Sequence, residues 1–210
     1  MDKEYWNHFY VNKSEDMKIN SPSQFAVFAY GEMSESDQIV EFGMGNGRDS
    51  KFFLSCGHAV IGLDQDLAMV NKLNSLEMPN ANFFKCDLED ASTDNILNFV
   101  NNTFDCEKRT NVYARFFMHA INEDAEVRVL EAMKNIIHKK NGQIFLEFRN
   151  EEDQHNKKET GQHQRRYIKM DNFERRIKEI GLKVIYHVSG QGYAKYKNDD
   201  ANVARYILGN

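Results

Sequence analysis

Residues Glu41-Phe42-Gly43-Met44-Gly45-Asn46-Gly47-Arg48-Asp49 carry the densest chemical signal in the chain. Glycines at alternate positions let a backbone turn sharply and come close to a ligand. Gln38-Ile39-Val40-Glu41-Phe42 reads as a strand ending at those glycines, and Asp49 to Cys56 reads as a helix beginning after them. Glycines between a strand and a helix mark a nucleotide-binding turn. The spacing is GxGxG, with Arg48 at the position where a dinucleotide fingerprint has its third glycine, and no GK[ST] phosphate loop is present. Glu41 precedes the glycines; a carboxylate there repels phosphate and suits a cationic amino group. Asp64 lies 21 residues beyond Gly43, at the end of a second apolar run, where an acid grips ribose hydroxyls. Together these residues describe a ligand with a ribose, a positive end and no phosphate. S-adenosylmethionine has all three.

A second set of residues falls where later strands end. Tyr113-Ala114-Arg115-Phe116-Phe117-Met118-His119 closes a fourth strand, Glu147-Phe148-Arg149 closes a fifth, and His163-Gln164-Arg165-Arg166-Tyr167 follows a polar stretch. Arg115, His119, Arg149 and one of Arg165 or Arg166 can converge on one mouth, with Tyr167 beside them. Arginine suits bidentate recognition of carboxylate or phosphate, so the substrate expected here is a small anionic molecule, or a sugar carrying an acid group. Each residue has a plainer alternative. Arg115 can pair with Glu147, His119 can be a base, a substrate hydrogen bond or a packed ring, and Arg149 can be solvated. Only one of the adjacent Arg165 and Arg166 can face inward in extended chain. The Glu151-Glu152-Asp153 run reads as a solvated lid surface, and His155 and His163 read as solvated rather than as metal ligands. No metal site is expected.

The elements that must position these residues alternate. Further strands are read at Ala59 to Leu63, Asn82 to Cys86, Asn111 to Phe117 and Gln143 to Phe148. Helices are read from about Asp66 to Glu77, over residues 93–100, and from Asp124 to His138. A last helix opens at Asp171-Asn172-Phe173-Glu174, with a cap and a carboxylate three residues on. Leu182 to Val188 and Val203 to Leu208 follow with no helix between them and read as an antiparallel pair. The fold class is α/β: a Rossmann-like, doubly wound, seven-stranded sheet, mostly parallel with an antiparallel last strand. Residues 1–36 read as an N-terminal helical cover on a main domain of residues 37–210, one structural unit overall. The cover's second helix is expected to be capped by Ser21 with Pro22 at its first position. Residues 150–164 form a polar, candidate mobile loop.

Composition narrows the partners. The 27 Lys and Arg against 32 Asp and Glu give a net charge of −5, which argues against a general nucleic-acid binder and leaves room for a local basic pocket. Cys56, Cys86 and Cys106 include no CxxC pair, which fits a reducing cytosol. Neither an apolar leader nor an 18-residue apolar run is present, so the expected location is cytoplasmic, with no membrane partner. The chain is expected as a monomer or homodimer.

The sequence resembles the class I S-adenosylmethionine-dependent methyltransferases over roughly residues 36–210. E-x-G-x-G-x-G is similar to that family's first motif, Asp64 to its ribose-binding acid, and Asp87 to the residue that meets the adenine amino group. The resemblance implies S-adenosyl-L-methionine as cofactor, S-adenosyl-L-homocysteine as product, and cofactor contacts from Glu41, Gly43, Met44, Gly45, Gly47, Asp64, Gln65, Asp87 and Leu88. Covers of the family often close over the cofactor, which adds Tyr10 and Gln24. Catalysis is assigned to Arg115 and His119, and substrate binding to these two with Arg149, Arg165, Arg166 and Tyr167. Ser21-Pro22-Ser23-Gln24-Phe25 and the Tyr113 to Ile121 segment also resemble small bacterial methyltransferases of surface-glycan modification, some acting on capsular phosphoramidate. The function implied is O-methylation of an anionic or glycan-linked acceptor. The alternatives are small-molecule N-methylation or a non-catalytic binding module. The fourth strand lacks the proline-containing segment usual in nucleic-acid amino methylation.

Overall fold

The computed structural model describes residues 21–156, 166–196 and 198–210. Seven strands form one sheet in the order β3-β2-β1-β4-β5-β7-β6. They are β1 (Gln38–Phe42), β2 (Ala59–Asp64), β3 (Ala81–Lys85), β4 (Thr110–Arg115), β5 (Ile144–Arg149), β6 (Lys183–Gly190) and β7 (Val203–Gly209). Six helices intervene among the described residues: α1 (Gln24–Gly31), α2 (Arg48–Ser55), α3 (Leu67–Asn74), α4 (Thr93–Thr103), α5 (Glu123–Lys140) and α6 (Met170–Ile180). The expected doubly wound sheet is present: β1 to β5 pair in parallel, and β7 runs antiparallel to both β5 and β6.

The topology places the crevice. After β1 the chain moves outward to β2 and β3; it then returns to β4 on the other side of β1. Connections beyond β1 and β4 therefore diverge and leave an opening at their carboxyl ends. Apolar side chains fill both faces of the sheet. On one, Val40, Phe42, Val112 and Leu146 meet Val100 of α4, Leu130, Met133 and Ile137 of α5, and Phe173 of α6. On the other, Ile39, Val60, Tyr113 and Phe145 meet Phe25 and Ala29 of α1 and Phe53 of α2. Phe25 stacks on Tyr113 at 5.1 Å between ring centroids. Burying one such ring contributes about 1.5–3 kcal/mol, so α1 is seated firmly on the sheet.

Two helix starts differ from expectation, each because of a partner far along the chain. α1 is capped by Ser23, not Ser21, and Pro22 precedes the helix. Ser23 Oγ accepts from Ala26 N–H at 3.0 Å and donates to Asp49 at 2.8 Å, so only at this position are both partners met. α6 starts at Met170 with no side-chain cap of its own. Glu151 supplies the acceptor for Met170 N–H, while Glu174 instead accepts from Tyr206 Oη at 3.0 Å. The Glu151-Glu152-Asp153 run is accordingly no solvated lid surface. Glu152 accepts from Asn202, and Asp153 is fully buried against Arg149.

A side chain on Gly142, just before β5, would overlap the Thr110 carbonyl oxygen of β4. Gly142→Ala is expected to lower stability by about 1–3 kcal/mol in urea unfolding. Gly31→Ala, in open space at the end of α1, should leave the midpoint unchanged or raise it slightly.

Candidate active site

The glycine turn is built by hydrogen bonds to the end of β2. Gly43 and Met44 N–H both donate to the Leu63 carbonyl, at 2.8 and 3.2 Å. Gly45 N–H donates to Asp64 Oδ2 at 2.9 Å. Gly43 takes φ +70°, and a side chain there would strike the Phe117 ring that closes in from β4. Gly47, at φ +67°, opens α2, and the space its side chain would need is filled by Leu73. The sequence has glycine where backbone geometry and crowding both demand it.

Beneath the turn lies a buried polar cluster. Glu41 is 4% exposed, and Ser50 Oγ donates to its Oε2. Burial and the neighbouring Asp49 push the Glu41 carboxyl up to about 8. Asp49 collects three donors: Ser23 N–H and Ser23 Oγ, each at 2.8 Å, and Tyr113 Oη at 2.8 Å. Burial and Asp49 raise the Tyr113 phenol well above its ordinary value. Ser23, Asp49, Ser50 and Tyr113 were not assigned roles from sequence. Their only signal was polarity at the start of a helix or along an apolar strand. Asp49 meets Ser23 across 26 residues and Tyr113 across 64, beyond any local pattern, while Ser50 meets Glu41 nine residues back across the glycine turn.

The remaining cofactor candidates differ in burial. Asp64 is half-buried, and its second oxygen accepts from Asp66 N–H at 3.0 Å; desolvation pushes its carboxyl up. Asp87 is half-buried just past β3 and accepts from Glu89 N–H at 3.2 Å. Met44 is buried against Gly62, Leu88 is buried in the main core, and Gln65 is half-buried. Gln24 is exposed in the first turn of α1. Tyr10 lies outside the described residues, as does Arg165.

The arginines differ in what remains of their donors. Arg149 is 5% exposed, and its two terminal nitrogens are taken by Asp153 at 2.6 Å and Asp199 at 2.9 Å. Arg166 bonds Glu126 and the Met118 and Ile121 carbonyls, fastening its segment to the start of α5. Tyr167 beside it is half-buried. Arg115 pairs through Nε with Glu147 Oε1 at 2.8 Å, the alternative foreseen for it. Arg205 holds the other Glu147 oxygen at 2.7 Å. Among the described residues, nothing bonds the two terminal nitrogens of Arg115, whose side chain is 17% exposed. The guanidinium lies 4.1 Å over the Phe116 ring. Phe116 holds φ +55°, a strained value for a bulky residue, and packs against Tyr193, Ala194 and Val203.

His119 is buried beside Phe116, with ring centroids 5.5 Å apart. Its Nδ1 accepts the Arg149 backbone N–H at 3.1 Å, so the neutral ring carries its hydrogen on Nε2. Among the described residues, no group of three or more His, Cys, Asp or Glu could hold a metal ion, and no helix is long and apolar enough to cross a membrane.

No protein-family model and no curated protein matches the sequence. Solved structures do match in shape. A TehB-like SAM-dependent methyltransferase from Corynebacterium glutamicum superposes with a TM-score of 0.62 at 16% identity, covering 98% of this chain and 96% of that one. The CcbJ methyltransferase from Streptomyces caelestis gives 0.71 at 10% identity, covering 100% and 99%. The glycopeptide N-methyltransferase MtfA, crystallised with S-adenosylmethionine, gives 0.61 at 13% identity, covering 91% and 95%. This is the class I methyltransferase fold. The parallel pairing puts the glycine turn after β1, Asp64 at the end of β2 and Asp87 after β3 at one end of the sheet, with Arg115, Phe116 and His119 at or just past the same end of neighbouring β4.

The differing arginine environments give a direct comparison. Arg149→Ala removes a buried cation that bonds Asp153 and Asp199 and should cost about 3–5 kcal/mol in denaturant unfolding. Arg115→Ala leaves Glu147 paired with Arg205 and should cost clearly less.

Proposed function

We propose that this chain is an S-adenosylmethionine-dependent methyltransferase acting on an anionic oxygen of a small acid. The observation carrying the acceptor class is the unpaired terminal edge of Arg115, beside arginines whose own edges are closed by carboxylates and carbonyls. The observation supporting the cofactor is the donor set around the glycine turn. It offers carboxyl groups at Glu41, Asp64 and Asp87 and no phosphate-binding lysine, which suits an ammonium, a ribose and an adenine amino group. Structural neighbours crystallised with that cofactor or its demethylated product agree with this reading.

When bound, the cofactor supplies a methyl group on a positively charged sulfur, which is electrophilic without covalent help. The protein's task is then alignment and exclusion of water, worth on the order of 7–11 kcal/mol. Glu41 would hold the cofactor's amino group, Asp64 its ribose hydroxyls, and Asp87 its adenine. Arg115 receives the acceptor's acid group through its two terminal nitrogens, and Phe116 flanks the body of the molecule. His119 has spent its Nδ1 lone pair on the Arg149 backbone, so Nε2 acts as a hydrogen-bond donor rather than a proton acceptor. An oxygen that arrives already ionised needs no base, and a carboxylate, phosphate or phosphoramidate meets that condition. A glycan carrying such a group, methylated in a bacterial cytoplasm, is one acceptor of this class.

Incubation with methyl-labelled S-adenosylmethionine and a panel of small acids should transfer label to at least one acid. Cofactor binding with no transfer across the panel would instead favour a non-catalytic module. Asp64→Ala should weaken S-adenosylhomocysteine binding at least tenfold in calorimetry, and unchanged affinity would remove Asp64 from the ribose contact. Arg115→Ala should raise the acceptor KM by tenfold or more with little change in cofactor affinity. Equal loss of both would give Arg115 a structural or cofactor role.

A further inference from the structure

Glu41 sits in surroundings that do not balance its charge. From α2 it faces Asp49 and Arg48, and Arg48 Nε lies 3.6 Å from Asp49. The negative charge of Asp64, at the end of β2, also acts on it. From β4, Tyr113 stands opposite it in register, with its hydroxyl held by Asp49. α1 contributes the uncharged Ser23 to the same cluster. Arg115, farther along β4, directs Nε to Glu147. Acids therefore outnumber cations around a carboxyl group that is almost wholly excluded from water.

An ionised carboxylate without a cation is expensive to bury, and holding a proton relieves most of that cost. Of the two neighbouring carboxyl groups, Asp49 already collects three donor hydrogens, whereas the described partner of Glu41 is the Ser50 hydroxyl. The vacancy for a proton is at Glu41. The geometry points to a proton-linked ligand site: Glu41 carries one proton in the free protein, and a ligand ammonium bound against it sends that proton to solvent. The carboxyl O–H bond breaks, the proton passes to buffer, and the carboxylate left behind pairs with the ammonium. One positive charge enters as one leaves, so the buried cluster keeps its net charge. This inference rests on the cofactor reading above and adds to it a chemical reason for preferring an amino-acid nucleoside to ATP or NAD.

The sign of the pH dependence follows. Below about pH 8 the free site holds the proton that binding must expel, so affinity rises with pH and levels off above that value. Titration of the wild-type chain with S-adenosylhomocysteine, in two buffers of different ionisation enthalpy, measures the protons released. Close to one proton per ligand is expected at pH 7 and about half at pH 8, with the dissociation constant improving about tenfold per pH unit from pH 6 to 7.5. 5′-Methylthioadenosine, which lacks the amino-acid end, should bind without release. Glu41→Gln should abolish the release seen with S-adenosylhomocysteine. Binding of S-adenosylhomocysteine at pH 7 with no proton released would overturn the inference while leaving the methyltransferase reading intact. Equal release with 5′-methylthioadenosine would do the same. Failure of the folded wild-type chain to bind either nucleoside would overturn both. The wild-type arms decide the matter even if the Gln variant does not fold.

Discussion

Two buried carboxyl groups, Glu41 at the end of β1 and Asp49 in the first turn of α2, flank the glycine turn. Much of the site follows from the need to keep them there. Asp49 is satisfied by the capping serine of α1 and by the tyrosine of β4, which ties the N-terminal helix, α2 and the central strands into one unit. The stacking of Phe25 on Tyr113 supplies apolar contact around the same node. Glu41 is left with one hydroxyl partner, and the nearest cation, Arg48, lies beside Asp49. A positively charged ligand is the natural complement.

The other half of the site is defined by saturation. Four arginines lie near the carboxyl ends of β4 and β5, the amino end of β7 and the segment before α6, and three of them are used in holding the structure. Arg149 joins the end of β5 to Asp153 and Asp199, Arg166 clamps the start of α5, and Arg205 shares Glu147. Such pairs persist because removing one partner leaves a buried charge behind. Arg115 differs in having a structural bond at Nε and an open edge at its other two nitrogens. Its neighbour Phe116 keeps a strained backbone at the same strand end, a feature common at binding sites.

What was legible in the sequence was what local rules govern. The strand–glycine–helix unit, the acids after β2 and β3, and the helix-free final strand pair all declare themselves within windows of about ten residues. The boundaries moved by one to three residues where the chain frays or a distant group caps it. The roles of charged residues were far less legible. Glu151-Glu152-Asp153 looks like a solvated run, yet Asp153 is buried by an arginine four residues away and by Asn202 from across the sheet. Arg149 looked available until Asp199, 50 residues on, took half of it. Ser23 and Ser21 are equivalent as caps in sequence, and only Asp49 distinguishes them. Pairing across the sheet decides which charges remain open, and nothing in a linear pattern reports it.

The most direct test of the account is a crystal structure of this chain with S-adenosylhomocysteine. The account predicts the ligand's ribose on Asp64, its amino group on Glu41, and its sulfur on the side of the crevice that Arg115 and Phe116 border. A ligand whose amino-acid end lies away from Glu41, or a crevice filled by the protein's own side chains with the nucleoside bound elsewhere, would contradict it.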